Sequence, residues 1–366
     1  MSEAGPASLL TVDLAALAAN WRALAARAAP AECAGIVKAD GYGLGAGPVA
    51  RALYKAGCRT FFVARLSEGV ALRDFAADDA RICVLDGLMP GEEEIYARRN
   101  LTPVLNDPGQ MARWQAAARR RGDSLDAFVH FDTGMSRLGL TPAETRKLIA
   151  DPTALAGLKL VAVMSHLVSS EEPDDPLNPG QLGLFRAIRA AFPDAKASFA
   201  NSSGVFLGTD YWFDQIRPGC AIYGVNPTPK QPNPMACVAR LQARILQIRE
   251  IDRPQTVGYG ATWQASRPTR VATIACGYAD GWLRSLSGRG RASIRRQTVP
   301  FIGRVSMDLV ALDVSGVPAA QPGEMVELMG PQISVDSVAD LAGTNGYEVL
   351  TRLGARIARS YRDQSA

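Results

Sequence analysis

A chain of 366 residues is longer than one ordinary domain, so two domains, or a barrel with an extension, are expected. Its 40 basic and 36 acidic residues leave a formal charge of +4, too small and too dispersed for a nucleic-acid surface. With only two histidines, His130 and His166, and no nucleophile elbow, a three-histidine metal centre and serine hydrolysis drop out, leaving lysine, tyrosine or carboxylate chemistry.

Met1 to Ser8 lack the basic and apolar regions of a secretory signal, and the longest apolar runs, such as Leu158–Met164, are far too short for a bilayer. Six scattered cysteines form no C-x-x-C pair. These features predict a cytoplasmic protein with no membrane association and buried, reduced thiols.

From about residue 33 to 225, β-prone runs alternate with helical patterns. The predicted strands are Gly35–Lys38, Thr60–Ala64, Arg81–Leu85, Thr102–Leu105, Ala127–Phe131, Lys159–Ser165, Ala197–Ala200 and Gln215–Tyr223. Helical stretches such as Pro108–Arg121 and Pro142–Ile149 lie between them. Strands alternating with helices in this number predict an α/β fold, a (β/α)8 barrel of the TIM type. Four prolines between Pro227 and Pro234 then break the pattern. Beyond them, Ala243–Ile251, Arg270–Ala275, Val299–Ile302, Leu309–Val314 and Met325–Leu328 read as strands, and Arg289–Arg296 as a solvated hairpin. The expected division is a barrel over residues 1–234 and a mostly β domain over 235–366.

Lys38 closes the first predicted strand, and the ends of barrel strands face the active site. Low-dielectric walls there depress an amine's proton affinity and make it a nucleophile or base. The glycines of Gly41–Gly47 do not have dinucleotide-fingerprint spacing and suit a tight strand-to-helix turn instead.

V-K-A-D-G-Y-G at Val37–Gly43 resembles the cofactor-lysine signature of the alanine racemase family. H-F-D-T-G-M-S-R-L-G at His130–Gly139, S-H-L at Ser165–Leu167, A-N-S-S-G at Ala200–Gly204 and R-P-G-C-A-I-Y-G at Arg217–Gly224 follow in the same order. V-G-Y-G-A-T-W at Val257–Trp263, G-Y-A-D-G-W at Gly277–Trp282 and G-R-V-S-M-D at Gly303–Asp308 complete the set, so the likeness spans nearly the whole chain. The resemblance implies a pyridoxal 5'-phosphate (PLP) barrel followed by a β domain. It implies an enzyme that interconverts L- and D-alanine by two bases and supplies D-alanine for peptidoglycan.

By that resemblance Lys38 carries PLP and is the base on one face of the substrate. Tyr259, from the second chain of a head-to-tail homodimer, is the base on the other. An ordinary tyrosine, with a pKa near ~10, is a poor base at neutral pH, and His166 with Arg217 supplies the cationic setting it needs. Arg217 also matches the residue facing the pyridine nitrogen, where an arginine does not give up its proton. Tyr42, Asn201, Ser202, Gly219 and Cys220 match cofactor-binding positions, most of them at the phosphate. Arg137 matches the residue touching the cofactor hydroxyl and the alanine carboxylate, Met307 gives that carboxylate its backbone N–H, and Tyr278 gates the substrate channel. Arg284, Arg304 and Asp308 match further channel positions, with an ordinary ion pair as the alternative role for each. No metal is implied.

Two positions depart from the family pattern. His130 stands where many members have a carbamylated lysine that holds the arginine equivalent to Arg137, and Ala355 stands where some have a phosphate-binding tyrosine. Rival readings are a broad-specificity racemase, a decarboxylase on the same barrel and a non-catalytic PLP-binding barrel. The decarboxylase needs a different set of C-terminal catalytic residues and has no use for Tyr259, and the non-catalytic barrels usually lack the second domain.

Overall fold

The computed structural model describes residues 5–363. Strand β1 (Ser8–Asp13) leads into helix Leu14–Arg27, which Asp13 caps by accepting the Ala16 N–H at 2.8 Å. Then come β2 (Glu32–Cys33), β3 (Gly35–Ile36), β4 (Thr60–Val63), β5 (Arg81–Val84), β6 (Leu101–Leu105), β7 (Leu125–His130), β8 (Leu158–Met164), β9 (Lys196–Ser198) and β10 (Gln215–Ile216). Their order is β2-β10-β9-β8-β7-β6-β5-β4-β3, all pairs parallel. Only Ala34 separates β2 from β3, so these two act as one interrupted strand. The nine segments therefore close as an eight-stranded barrel, as the alternation predicted.

Parallel pairing demands crossovers, and helices provide them. Pro108–Arg121 shows how sequence fixes one: Asp107 accepts the Gln110 N–H at 2.9 Å, Pro108 opens the first turn, and Gly122 ends it at φ 68°. Inside the barrel, Ile36, Phe62, Cys83, Val104, Phe128 and Met164, one from each of β3 to β8, form a separate apolar plug. That plug is the floor on which the site is built.

The second sheet holds β11 (Ala239–Ile251), β14 (Thr269–Ile274), β15 (Arg291–Ile294), β16 (Gln297–Ile302), β17 (Val310–Asp313), β18 (Met325–Met329) and β19 (Ala358–Arg362). A small ribbon, β12 (Thr256–Val257) with β13 (Trp263–Gln264), stands apart. The sheet's order is β14-β17-β16-β15-β18-β11-β1-β19, with β14 also paired to β11. The N-terminal strand β1 thus belongs to this sheet, antiparallel to β11 and parallel to β19. Arg289–Arg296 lies in the expected hairpin, whose turn places Arg295 at φ 47° and Arg296 at φ 66°.

Some boundaries differ from expectation. The strand predicted over Gln215–Tyr223 stops at Ile216, because Pro218 has no N–H to give a ladder, and Cys220–Tyr223 winds into a 3-10 turn. Cys33, Cys58, Cys83 and Cys276 are buried, but Cys220 is half-buried and Cys237 exposed, on the segment that follows the prolines. Among the described residues, no helix is long and apolar enough to cross a membrane.

Candidate active site

Lys38 lies just beyond β3, which ends at Ile36 rather than at Lys38 as predicted, and the chain then turns the wrong way round. Ala39 (φ 53°, ψ 50°), Asp40 (φ 53°, ψ 47°) and Gly41 (φ 61°, ψ 48°) are left-handed, and Tyr42 continues at φ 55°. Each non-glycine residue held so costs about 1–2 kcal/mol, which surrounding bonds must offset. They are present: Gly41 N–H donates to the Val37 carbonyl at 2.9 Å, Gly43 N–H to Ala39 and Gly45 N–H to Asp40, both at 2.8 Å. The Asp40 carboxylate accepts the Ala46 N–H at 2.8 Å, starting helix Ala46–Ala56. Gly43, at φ 79°, is needed for a second reason: a Cβ there would lie 2.5 Å from the Leu350 carbonyl oxygen, where helix Gly346–Thr351 crosses.

Lys38 lines a cavity of about 820 Å³. Tyr42, Arg137, His166, Asn201, Ser202, Arg217, Gly219 and Cys220 line it too, so every residue expected to hold the cofactor opens onto one space. The cavity fits PLP by its donor set. Its walls combine the Lys38 amine with hydroxyls and backbone around Ser202, Ser203, Gly219 and Cys220. Ser202 Oγ accepts from Gly219 N–H at 2.9 Å and Ala221 N–H at 3.2 Å, and Asn201 Oδ1 accepts from Gly204 N–H and Ser170 Oγ, each at 2.8 Å. A Cβ on Gly219 would collide with the Tyr42 hydroxyl, so only glycine lets that phenol reach this wall. The Tyr42 ring stacks on Tyr223 at 4.4 Å, which fixes it, and burial pushes its hydroxyl toward the neutral form.

Arg217 is 4% exposed, and among the described residues its hydrogen-bond partners are neutral. Its guanidinium donates to Ser198 Oγ and to the Ser165 carbonyl, both at 2.6 Å. Burial lowers its pKa to about 10, so it stays charged at neutral pH. Burial first, then Arg217, Arg137 and Lys38, drive His166 well below its ordinary range and keep it neutral, so the cationic setting expected from His166 with Arg217 falls to Arg217 alone. Arg137 rides the loop after β7, where Asp132 accepts the Gly134 and Ser136 N–H groups at 2.9 and 3.1 Å. Among the described residues, nothing accepts a hydrogen bond from its guanidinium, which leaves it available to a carboxylate.

His130 has a defined tautomer. The Asn106 amide donates to the Leu85 and Val104 carbonyls, both at 3.0 Å, so its Oδ1 faces His130 Nδ1 at 2.8 Å and must accept the proton there. Nε2 is then a bare acceptor on a cavity wall. Burial and Arg217 push the ring down to about 4 from its ordinary 6.5. The unfolded chain therefore binds a proton that the folded chain refuses. The resulting stability is complete above pH 6.5 and is lost as pH falls toward 4, on the order of 3 kcal/mol. Urea unfolding of the cofactor-free chain between pH 7 and 4 is expected to show this loss, and His130→Gln to reduce its slope. An unchanged slope in that variant would contradict the assignment.

Tyr259 and Tyr278 are not brought to Lys38 within one chain. They line a second space of about 500 Å³ with Arg284, Arg304, Val305 and Ser306. Tyr259 is 73% and Met307 53% exposed. Gly277 makes this face possible: a Cβ on it would lie 2.5 Å from the Asp308 nitrogen, and the close approach lets Tyr278 N–H donate to the Ser306 carbonyl at 3.0 Å. Asp308 pairs with Arg356 at 2.8 Å, the ordinary ion pair.

Sequence reasoning missed Asp86, Ser203 and Tyr347, which also line the first cavity. Asp86 follows β5, a strand-end position that deserved attention by the same logic as Lys38. Ser203 lay inside a quoted motif. Tyr347 arrives on the C-terminal helix Gly346–Thr351, and nothing local in the sequence signals its return to the barrel mouth.

Residues 12–227 match the N-terminal domain and residues 238–361 the C-terminal domain described for alanine racemase. An alanine racemase of Rhodospirillum rubrum is 52% identical over 357 residues, covering 97% of this chain and 96% of that protein. A catabolic alanine racemase of Mesorhizobium japonicum is 48% identical over 364 residues, covering 99% and 95%. The crystal structure of alanine racemase from Bartonella henselae with covalently bound pyridoxal phosphate superposes with a TM-score of 0.94 at 40% identity, covering 98% of this chain and all of that one. With both domains matched end to end and relatives this similar over their full length, the chain belongs to the alanine racemase family.

Proposed function

We propose that this chain interconverts L- and D-alanine with PLP held on Lys38, in active sites completed by a second copy of itself. The observation that carries this reading is the single cavity onto which Lys38, Arg137, His166 and Arg217 open together with the hydroxyl-lined wall at Ser202. The R. rubrum, M. japonicum and B. henselae proteins are alanine racemases by name, and the last holds PLP covalently. The product, D-alanine, serves peptidoglycan synthesis.

When bound, PLP supplies the electron sink that acidifies the alanine α-proton. Lys38 Nζ takes or returns that proton on one face, its amine deprotonated more readily because burial and Arg137 depress its proton affinity. The Tyr259 hydroxyl of the second chain serves the opposite face, next to neutral His166 and charged Arg217. Arg217 would hold the pyridine nitrogen, and its guanidinium, charged at neutral pH, would not give that nitrogen a proton. Arg137 and the Met307 backbone N–H hold the alanine carboxylate, and Tyr278 narrows the approach. Tyr42 and Ser202 hydroxyls, with backbone at Gly219 and Cys220, hold the phosphate, Asn201 bracing that wall. The exposure of Tyr259 and Met307 supports a two-fold, head-to-tail partner.

The test is direct: purified chain with L-alanine, followed by chiral analysis, should give an L:D mixture approaching one to one, and D-alanine should give the same mixture. No D-alanine from L-alanine would overturn the reading. A further outcome follows from His130. A histidine forms no stable carbamate, and its Nε2 is a neutral acceptor, so activity should be the same in carbon-dioxide-depleted buffer and with added bicarbonate. Loss on depletion and recovery with bicarbonate would show that some lysine supplies a carbamate after all.

A further inference from the structure

Lys38 sits at the start of a left-handed turn, and one acidic side chain reaches the turn from a neighbouring strand end. Glu68 Oε1 accepts the Ala39 N–H at 2.6 Å, the amide directly after Lys38. Its other oxygen accepts the Ala64 N–H at 2.8 Å and the Arg65 N–H at 3.1 Å, just beyond β4. One carboxylate therefore ties the end of β3 to the end of β4 through three backbone donors, at the point where the chain leaves the barrel in a strained conformation. We propose that Glu68 is the positioning residue of the cofactor lysine, holding the Lys38 turn in place and setting a negative charge on the amide next to the residue that bears the amine. This rests on Lys38 being the lysine that carries PLP.

The charges around Lys38 make the second half of the argument. Arg137, Arg217 and the neutral imidazoles of His130 and His166 line the same cavity, as do the carboxylates of Asp86, Glu171 and Glu348 and the phenols of Tyr42 and Tyr347. Among the described residues, Glu68 and Asp86 are the carboxylates that act on the amine. Burial and Arg137 depress Lys38's proton affinity, and Glu68 then Asp86 restore part of it. A bond from a formal negative charge to an amide is stronger than a neutral one, which suits a brace on strained backbone. A purely local explanation also exists, since Glu68 is the third residue of helix Leu66–Arg73 and closes its N-terminal capping box. That role predicts a stability change alone, with no effect on Lys38.

Attachment of PLP reports on Lys38 without any turnover. The deprotonated Nζ attacks the aldehyde carbon, the carbon–nitrogen double bond forms, and the aldehyde oxygen leaves as water with the two amine hydrogens. The experiment mixes cofactor-free full-length chain with PLP in a stopped-flow spectrometer and follows absorbance across pH, for wild type, Glu68→Gln and Glu68→Asp. Glu68→Gln removes the charge and should move the midpoint of the rate profile to lower pH while lowering its plateau. Glu68→Asp keeps the charge but shortens the reach, so it should keep the midpoint and lower the plateau. A wild-type midpoint in folded Glu68→Gln would overturn the proposal and leave only the capping role. If Glu68→Gln does not fold, a wild-type plateau in Glu68→Asp would overturn it instead. Peptide mapping after borohydride separates the two layers: a wild-type adduct away from Lys38 defeats the cofactor assignment, whereas an adduct on Lys38 with unshifted Glu68→Gln kinetics defeats only this inference.

Discussion

Replacing Lys38 by alanine is expected to abolish racemisation, a loss of more than about 10³-fold, because on the function proposed one substitution removes both the covalent anchor of PLP and a base that touches the α-proton. Thermal unfolding should barely change, since the side chain opens onto the cavity and the turn behind it is held by backbone bonds and Glu68. A small primary amine in the buffer should restore part of the rate, acting as a diffusible base where Nζ stood. The wild-type chain provides the matching positive result: an absorbance band from bound PLP, lost on borohydride reduction, with the pyridoxyl group then on Lys38 in the peptide map. An adduct on Lys55, on Lys147 or on no lysine would sink the assignment. Lys55 makes that outcome a real discriminator, because it is exposed and paired with Asp363 at 3.3 Å, remote from the cavity chemistry.

Much of this site was legible before any coordinates because its chemistry is carried by short segments at barrel strand ends. Lys38, Arg137, His166, Ser202 and Arg217 each follow a different strand, and parallel closure brings such ends together whatever the loop lengths between them. The alternating pattern predicts the barrel for the same reason. What escaped the sequence depends on contacts between distant segments. Nothing in Ser8–Asp13 announces that it will pair with β11 and β19, since a short apolar strand suits either sheet. The left-handed run at Ala39–Tyr42 runs against local preference, because alanine and tyrosine both favour other conformations, and it is held by the turn's own backbone bonds together with the Glu68 and Asp40 carboxylates. Asn106 likewise has no signature as the group that fixes the His130 tautomer, since that role depends on where the Leu85 and Val104 carbonyls lie. The glycines of Gly41–Gly47 predict the turn but not its left-handed sense, which Ala39, Asp40 and Tyr42 share.

Mixing two inactive variants should bring activity back. A Lys38→Ala chain keeps Tyr259, and a Tyr259→Phe chain keeps Lys38. Within one chain these residues open onto different spaces, of about 820 and 500 Å³, and Tyr259 is 73% exposed. If a two-fold partner lends its Tyr259 to the cavity of Lys38, a hybrid dimer has one site with both residues intact and one with neither. Random exchange at equal amounts makes about half the dimers hybrid, and half of their sites are whole, so roughly a quarter of wild-type activity should return. Each variant alone should stay nearly inactive, Tyr259→Phe because it leaves one face of the α-carbon without a proton donor or acceptor. Tyr259→Phe should still take up PLP, which separates its defect from that of Lys38→Ala. If each Tyr259 served the lysine of its own chain, every site in the hybrid would lack one residue and nothing would return. Native mass spectrometry must first confirm that subunits have exchanged; hybrids present in the expected proportion but without activity would defeat the shared site.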